Sequence, residues 1–269
     1  QRWLRAYGSF GSPNSLGMYL AVLFVLGLVL YLRTESPRIK ILISVGQLFI
    51  LSGLLVSFSR GAWLAVVVGV AGLFVILIKN CHSDRSGGIP YTMNQQLNPD
   101  SAIAKDKGSL GYARDDRRTT LKDFAKQILF ALAVIVFWLI IFYPVFTARF
   151  NLNNRLEAKS ISERKGQYAE ALSFIKTNPI FGIGPGAYTY ALSKKYPTLP
   201  SWQYQPIHNI YLLALVEMGL AGILFLFFLF KHLFALIIKN NLIYTPIIIT
   251  LISAGIFDHW LISIYTGTL

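Results

Sequence analysis

Six long apolar runs, almost free of charge, decide what this chain can fold into. They cover residues 15–32, 41–58, 61–78, 128–146, 210–230 and 242–257. Each is close to the ~20 residues that cross a bilayer core of roughly 30 Å as a helix. The chain as a whole is 54% hydrophobic and 14% charged, and runs of this kind read as membrane spans rather than as a soluble core. An open sheet would leave backbone groups unpaired in lipid, so the spans are helices. Residues 41–78 are too long for one crossing and must turn near Ser59-Arg60-Gly61, where a charge interrupts them. The expected fold is all-α: a polytopic integral membrane helix bundle of about six spans.

Orientation follows from the short loops. Arg33, Arg38 and Lys40 lie in the loop 33–40, and Lys231 and Lys239 in the loop 231–241. Basic residues in short loops stay in the cytoplasm. The N-terminus, the Arg60 turn, the loop 147–209 and the C-terminus are then expected on the outer side. The loop 147–209 carries eight Lys/Arg against three Glu, but loops of about 60 residues or longer carry little weight in such an assignment. Three regions result: residues 1–78 with the first three spans, a cytoplasmic insert 79–127, and residues 128–269 with the last three spans and the outer loop. The insert is rich in Ser, Gly, Asn, Asp and Lys without a sustained apolar period, so it is expected to be largely disordered. Its basic end, 114–126, suits acidic lipid headgroups. The chain starts with Gln and has no signal-peptide layout, and is expected to be part of a longer protein.

A net charge of +13 on a soluble chain would suggest nucleic acid. Here most basic residues flank spans, which favours anionic lipid and phosphate-bearing substrates and no nucleic acid. The single cysteine, Cys81, excludes an internal disulfide and a Cys-based metal site. The four histidines, 82, 208, 232 and 259, fall on both sides of the membrane by this topology, without a His-x-x-x-His motif, so no metal site is expected.

Several residues carry candidate chemistry. Arg60 interrupts an apolar hairpin; it either anchors the boundary to lipid phosphate or clamps a substrate phosphate, for which its planar fork is better suited than lysine. In the outer loop a helix is expected over 161–177, started by the capping-box spacing Ser160-Ile-Ser-Glu163 and ended by Asn178-Pro179. Helical spacing aligns Arg164 with Tyr168, Ala171 and Ile175 on its apolar stripe. A solvated face is the plainer reading of that arginine. The run Gly182-Ile-Gly-Pro-Gly186 lacks the lysine of a P-loop and reads as a tight turn, with backbone N–H groups of Gly184 and Gly186 available to an anion. His208 sits at a membrane boundary, where it is either a general base or an interfacial polar residue, and Asn209 is a helix N-cap. Glu217, roughly 13 Å further down that helix, is an intramembrane carboxylate that needs a partner or a proton, Arg60 being one possibility.

These stretches together resemble the O-antigen ligase and polymerase superfamily of membrane glycosyltransferases. Four match in order: Arg5-Ala-Tyr-Gly-Ser-Phe-Gly-Ser-Pro-Asn14; Ser59-Arg-Gly-Ala-Trp63; Arg164 with Ala171, Asn178-Pro179 and Phe181-Gly-Ile-Gly-Pro-Gly186; and His208-Asn-Ile-Tyr-Leu212 with Glu217-Met-Gly-Leu220. The resemblance implies transfer of a glycan from undecaprenyl pyrophosphate to an acceptor glycan, lipid or protein hydroxyl at the outer face of the cytoplasmic membrane, with no cofactor and no metal. It implies that Arg60 and Arg164 bind the pyrophosphate, that His208 is catalytic, and that Asn209, Glu217, Gly184 and Gly186 support them. Family members usually have ten or more spans, and the insert 79–127 is longer than their pattern. Two other classes compete. A transporter of an anion or small solute would use Arg60, Glu217 and Asp258 along a path, but such proteins show inverted repeats and broken helices, and neither is legible here. A non-catalytic lipid-polymer binding protein is the third.

Overall fold

The computed structural model describes residues 12–82, 99–150, 155–240 and 244–259. Every regular element among them is helical. The membrane helices are α1 (Pro13–Arg33), α2 (Pro37–Val56), α3 (Arg60–His82), α4 (Pro99–Ile141), α8 (Ile210–Asn240) and α9 (Thr245–Phe257); α5 (Tyr143–Phe150), α6 (Arg155–Thr177) and α7 (Tyr188–Lys195) build the loop between them. Five are long and apolar enough to cross a membrane, whereas α9 has 13 residues. The protein is a polytopic helical membrane protein. The expected count of six spans is thus cut to five among the described residues, and the sixth run forms a shorter apolar helix: Pro246 sets its first turn, and the polar Asp258 caps its far end.

Helix α1 is the axis of the bundle, packed against α2, α3, α4 and α9. Its start is fixed locally. Ser12 accepts a hydrogen bond from the Ser15 N–H at 3.1 Å, and Pro13 occupies the first turn, where its missing N–H costs nothing. Glycines then allow the close helix approach that lipid-embedded packing requires. A Cβ at Gly27 would lie 2.4 Å from the Gln47 amide, whose Nε2 donates to the Phe24 carbonyl at 2.8 Å. A Cβ at Gly69 of α3 would lie 2.0 Å from Thr250 Oγ1 of α9. Between α2 and α4 the contact is a polar ladder: Lys40 pairs with Asp123, Gln127 donates to Ser44 at 2.7 Å, and Trp138 donates to Ser52 at 2.9 Å.

The 41–78 run turns where the charge predicts, over Ser57-Phe58-Ser59. This turn is buried, with all three residues at 3% exposure or less. Phe58 has φ 51, a left-handed conformation uncommon for a side chain of its size. Its ring packs edge-on against Trp63, Phe142 and Phe146 at 5.1–6.5 Å between centroids, which holds the turn in place.

Four expectations are corrected. Helix α4 starts at Pro99, so residues 99–127 of the insert are helical rather than disordered. A span that is already nucleated extends at the cost of one residue per added hydrogen bond. Residues 83–98 lie outside the described residues, as does the segment 5–11. The fourth run does not continue to 146, because α4 ends at Ile141 and α5 begins beside Pro144. The loop helix starts at Arg155, not at a Ser160 cap; Ser160 and Glu163 lie inside it.

The fourth correction is the largest. The fifth run is a broken helix, not a continuous one. At Gly219 the backbone takes φ 63 and ψ −159, a region open essentially only to glycine. In an unbroken helix the Leu220 and Ala221 N–H groups would bond to the carbonyls of Val216 and Glu217. Here both pairs are separated and taken up by the loop. Ile183 and Gly184 donate to Val216 and Glu217 at 3.0 and 2.9 Å, while Leu220 and Ala221 donate to Pro179 and Ile180 at 3.0 and 3.1 Å. Two helical bonds are exchanged for four, so these groups stay paired, as lipid requires. The backbones meet through glycine. A Cβ at Gly182 would lie 2.4 Å from the Glu217 carbonyl, and one at Gly219 would lie 2.3 Å from the Ile180 oxygen.

This junction predicts opposite signs for two glycine substitutions. Gly219→Ala forces an alanine into a glycine-only conformation and against backbone, and is expected to destabilise by at least the roughly 1–3 kcal/mol of such strain. Gly166→Ala lies inside α6 with nothing within 4 Å of the new Cβ, and is expected to stabilise by about 0.5–1 kcal/mol. Thermal unfolding of both variants in the same detergent checks the pair; a Gly219→Ala protein as stable as the parent would show that the junction is not strained in this way.

Candidate active site

The loop is a small folded unit with its own core of Ala171, Tyr188, Leu192, Ile207, Leu213 and Val216. Helices α6 and α7 both pack on α8. They are clamped to each other by Glu170, which accepts from Lys195 Nζ at 2.7 Å and from the Tyr196 hydroxyl. Burial alone would raise the Glu170 pKa, but these two donors outweigh it and hold the carboxyl below its usual range. Burial, and next the charge of Glu170, push the Tyr188 phenol up to about 12.

The face that α6 turns inward corrects the expected stripe. Arg164, Ala171 and Ile175 of that stripe are buried or half-buried, as are Gln167 and Phe174, whereas Tyr168 is exposed. Gln167 takes the place given to Tyr168, and its Oε1 accepts from the His208 N–H at 3.3 Å. Arg164 lies one turn earlier on the same face.

Asn209 is the helix cap that its type predicts. Its Oδ1 accepts from the N–H groups of Tyr211 and Leu212, both at 3.0 Å. The first turn of α8 then locks onto α9. The Tyr211 hydroxyl donates to the Ile252 carbonyl at 2.8 Å, and a Cβ at Gly255 would meet Ile210 at 2.7 Å. This contact carries His208 to the end of α9, where Asp258 and His259 follow. His208 Nδ1 lies 3.6 Å from Asp258 Oδ1, His259 Nε2 lies 3.8 Å from the same oxygen, and the two imidazole centroids are 5.0 Å apart. The Asp258 side chain is 3% exposed. Burial would raise its pKa, but the histidines, His208 foremost, outweigh it and hold Asp258 below the usual carboxylate range; burial pushes His259 down.

Arg60 reaches the same end of the bundle by another route. Its neighbour Gly61 packs so closely on α9 that a Cβ would lie 2.5 Å from the Cβ of Phe257. Arg60 is half-buried and engaged with neighbouring groups. The expected site residues Arg60, Arg164, His208 and Asn209 are thus drawn toward one end of the bundle by these contacts.

Glu217, Gly184 and Gly186 do not join them as a ligand site. The glycine turn does hold an acidic group, but it is the Glu217 side chain, whose oxygens accept from the N–H groups of Gly186 at 2.9 Å and Tyr188 at 3.3 Å. The suggested Glu217 partner, Arg60, is replaced by backbone donors. The expectation of no ligand cluster is also corrected: His208, Asp258 and His259 come together. From sequence, Asp258 was legible as a polar residue on a transport path, and Asp258 or His259 as a substitute base should His208 not serve, but not their meeting with His208; Gln167 gave no signal beyond helical spacing.

The Glu170 clamp gives a pH-dependent expectation. A depressed carboxyl pKa contributes stability that is present above the ordinary ~4.3 and is lost as pH falls through the lower folded value. Glu170→Gln should cost about 1.5 kcal/mol at neutral pH, the low end for hydrogen bonds to a charged group, and cost little once the parent carboxyl is protonated. Unfolding monitored from pH 7 downward checks this; a penalty independent of pH would mean that Glu170 acts by packing.

No curated protein and no solved structure matches the chain. The family model described as O-Antigen ligase matches residues 45–227, a stretch that holds Arg60, Arg164, His208 and Glu217 but ends before Asp258. With more than half of its length matched, the chain belongs to the O-antigen ligase family.

Proposed function

We propose that the protein transfers a glycan from undecaprenyl pyrophosphate to an acceptor hydroxyl at the outer face of the cytoplasmic membrane, with His208 as general base and no metal or nucleotide in the reaction. The acceptor is a lipid core, a growing polysaccharide or a protein hydroxyl. The observation that carries this reading is His208 with its Nδ1 3.6 Å from the buried Asp258 carboxylate. A carboxylate on that side favours the Nδ1–H tautomer and leaves the Nε2 lone pair for the acceptor. The acceptor oxygen attacks C1 of the donor sugar, its proton passes to His208 Nε2, and the bond from C1 to the phosphate oxygen breaks. Negative charge develops on the departing pyrophosphate. Arg60 and Arg164 offset it, each able to donate two hydrogen bonds to one phosphate. Asp258 positions the imidazole and stabilises it once charged.

One observation favours the transporter alternative, the break in α8, because discontinuous helices mark solute sites at mid-membrane. The four α8 backbone groups of the exchange are all bound by residues 179–184, which leaves none of them for a solute. The break serves to hold the loop.

Proteoliposomes containing the lipid-pyrophosphate glycan and an acceptor test the reading. His208→Gln keeps some hydrogen bonding but cannot take the proton, and should lower the transfer rate by roughly 10²–10⁴-fold with donor affinity little changed. Arg60→Lys should fail almost as badly as Arg60→Ala, because lysine keeps the charge and loses the fork. Native rates in His208→Gln, or solute uptake without glycan transfer, would overturn the proposal.

A further inference from the structure

We propose that His208, Asp258 and His259 bind a divalent transition-metal ion of the Zn²⁺ class, and that the bound ion switches transfer off. The binding half stands on the geometry alone; the inhibitory half rests on the proposed role of His208.

One donor atom from each of the three residues lies within 4.8 Å of the donors of the other two, and the shared Asp258 Oδ1 is 3.6 and 3.8 Å from the two imidazole nitrogens. Tetrahedral Zn²⁺ with bonds of ~2.0–2.2 Å sets its ligands about 3.4 Å apart. The two shorter edges need to close by only a few tenths of an ångström. The third can close by movement of His208, which lies in the non-helical segment before α8. The donor set selects the ion. Two imidazoles and one carboxylate suit Zn²⁺ and its borderline neighbours, while Mg²⁺ and Ca²⁺ prefer oxygen donors throughout.

The second observation is the state of Asp258. Its side chain is almost wholly buried, and its Oδ2 has no hydrogen-bond partner among the described residues. A buried carboxylate normally satisfies both oxygens or pairs with a cation. His208 Nδ1 is likewise buried without a hydrogen-bond partner among the described residues. Asp258 Oδ1 accepts from the His259 N–H at 2.7 Å, so the unused capacity lies on the other oxygen of the same carboxylate and on His208 Nδ1. Three protein ligands leave a fourth position for water.

Inhibition follows from which nitrogen the ion takes. With Nδ1 on the metal, the remaining imidazole proton sits on Nε2, which then donates instead of accepting. The nitrogen needed for the acceptor hydroxyl is blocked without any block to donor binding.

The test uses the full chain in nanodiscs. Zn²⁺ binding is read by competition with a chromophoric chelator, and Co²⁺ binding by its visible absorption, with no dependence on activity. Saturable binding of one ion per chain is expected, weakened at least roughly tenfold in His259→Gln and in Asp258→Asn, since loss of even a residue that only orients a ligand costs about that much. Absence of saturable binding, or unchanged affinity in both variants when each is folded by thermal unfolding, would overturn the site. Transfer rate is then measured against free Zn²⁺ for the parent and for His259→Gln, each relative to its own zinc-free rate. The parent should lose activity and recover it with EDTA, and the variant should need at least roughly tenfold more zinc. Binding with no effect on rate would overturn the switch and leave the site; absence of any transfer without zinc would instead count against the proposed function.

Discussion

The exchange of backbone hydrogen bonds between residues 179–184 and 216–221 is the interaction on which the rest of the loop depends. A loop of this size on a membrane protein has no intrinsic reason to hold one position. Here it is stitched into α8 by four hydrogen bonds at a point near the middle of the apolar segment Ile210–His232. Each bond is worth little net in water, but leaving any of these groups unpaired in lipid costs several kcal/mol. The break in α8 and the inserted turn therefore stabilise each other, and neither is tolerable alone. Ile180 and Phe181 beside this junction are 59% and 77% exposed, apolar side chains of a kind that lipid accommodates. From this junction the order propagates outward. Glu217 holds Gly186 and the first residue of α7, α7 completes the small core with α6, and Ile207 at 0% exposure seats the segment that carries His208.

The membrane helices supply the second half of the site by packing rather than by hydrogen bonding. Glycines 61, 69 and 255 let α3 and α8 approach α9 closely, which brings the buried 57–59 turn, the His208 segment and the end of α9 to one place. Two kinds of order thus meet there. The frame is close helix contact through small residues, and the loop is anchored by backbone exchange. The family match ends at residue 227, so the histidine and its carboxylate neighbour come from inside and outside the matched region.

Much of this was legible in the residues. The apolar runs gave the helical membrane class, the lone charge within 41–78 located a turn, Asn209 read as a cap, and Asn178-Pro179 ended α6. Each of these is a local signal, in which a residue type answers a nearby backbone need. What was not legible is non-local. Gly219 passes for an ordinary glycine in an apolar helix, since small residues are common there, and only the partner loop shows that it breaks the chain. Glu217 looked like a functional carboxylate because its backbone partners are 29 and 31 residues away. Ser160-Ile-Ser-Glu163 matched a capping box, but the helix began at Arg155 because good helix formers precede it. The pairing of His208 with Asp258 spans fifty residues and depends on how α8 meets α9, which no spacing rule anticipates.

Residue-resolved hydrogen exchange in nanodiscs measures the junction directly. The N–H groups of Ile183, Gly184, Leu220 and Ala221 should exchange as slowly as those in the middle of α8, because all four are bonded and shielded together. Their protection should be lost in concert in Gly219→Ala. If Ile183 and Gly184 instead exchange at the rate of exposed loop amides while Leu220 and Ala221 stay protected, α8 is a continuous helix, the loop is not inserted into it, and His208 is not held where the proposed chemistry needs it.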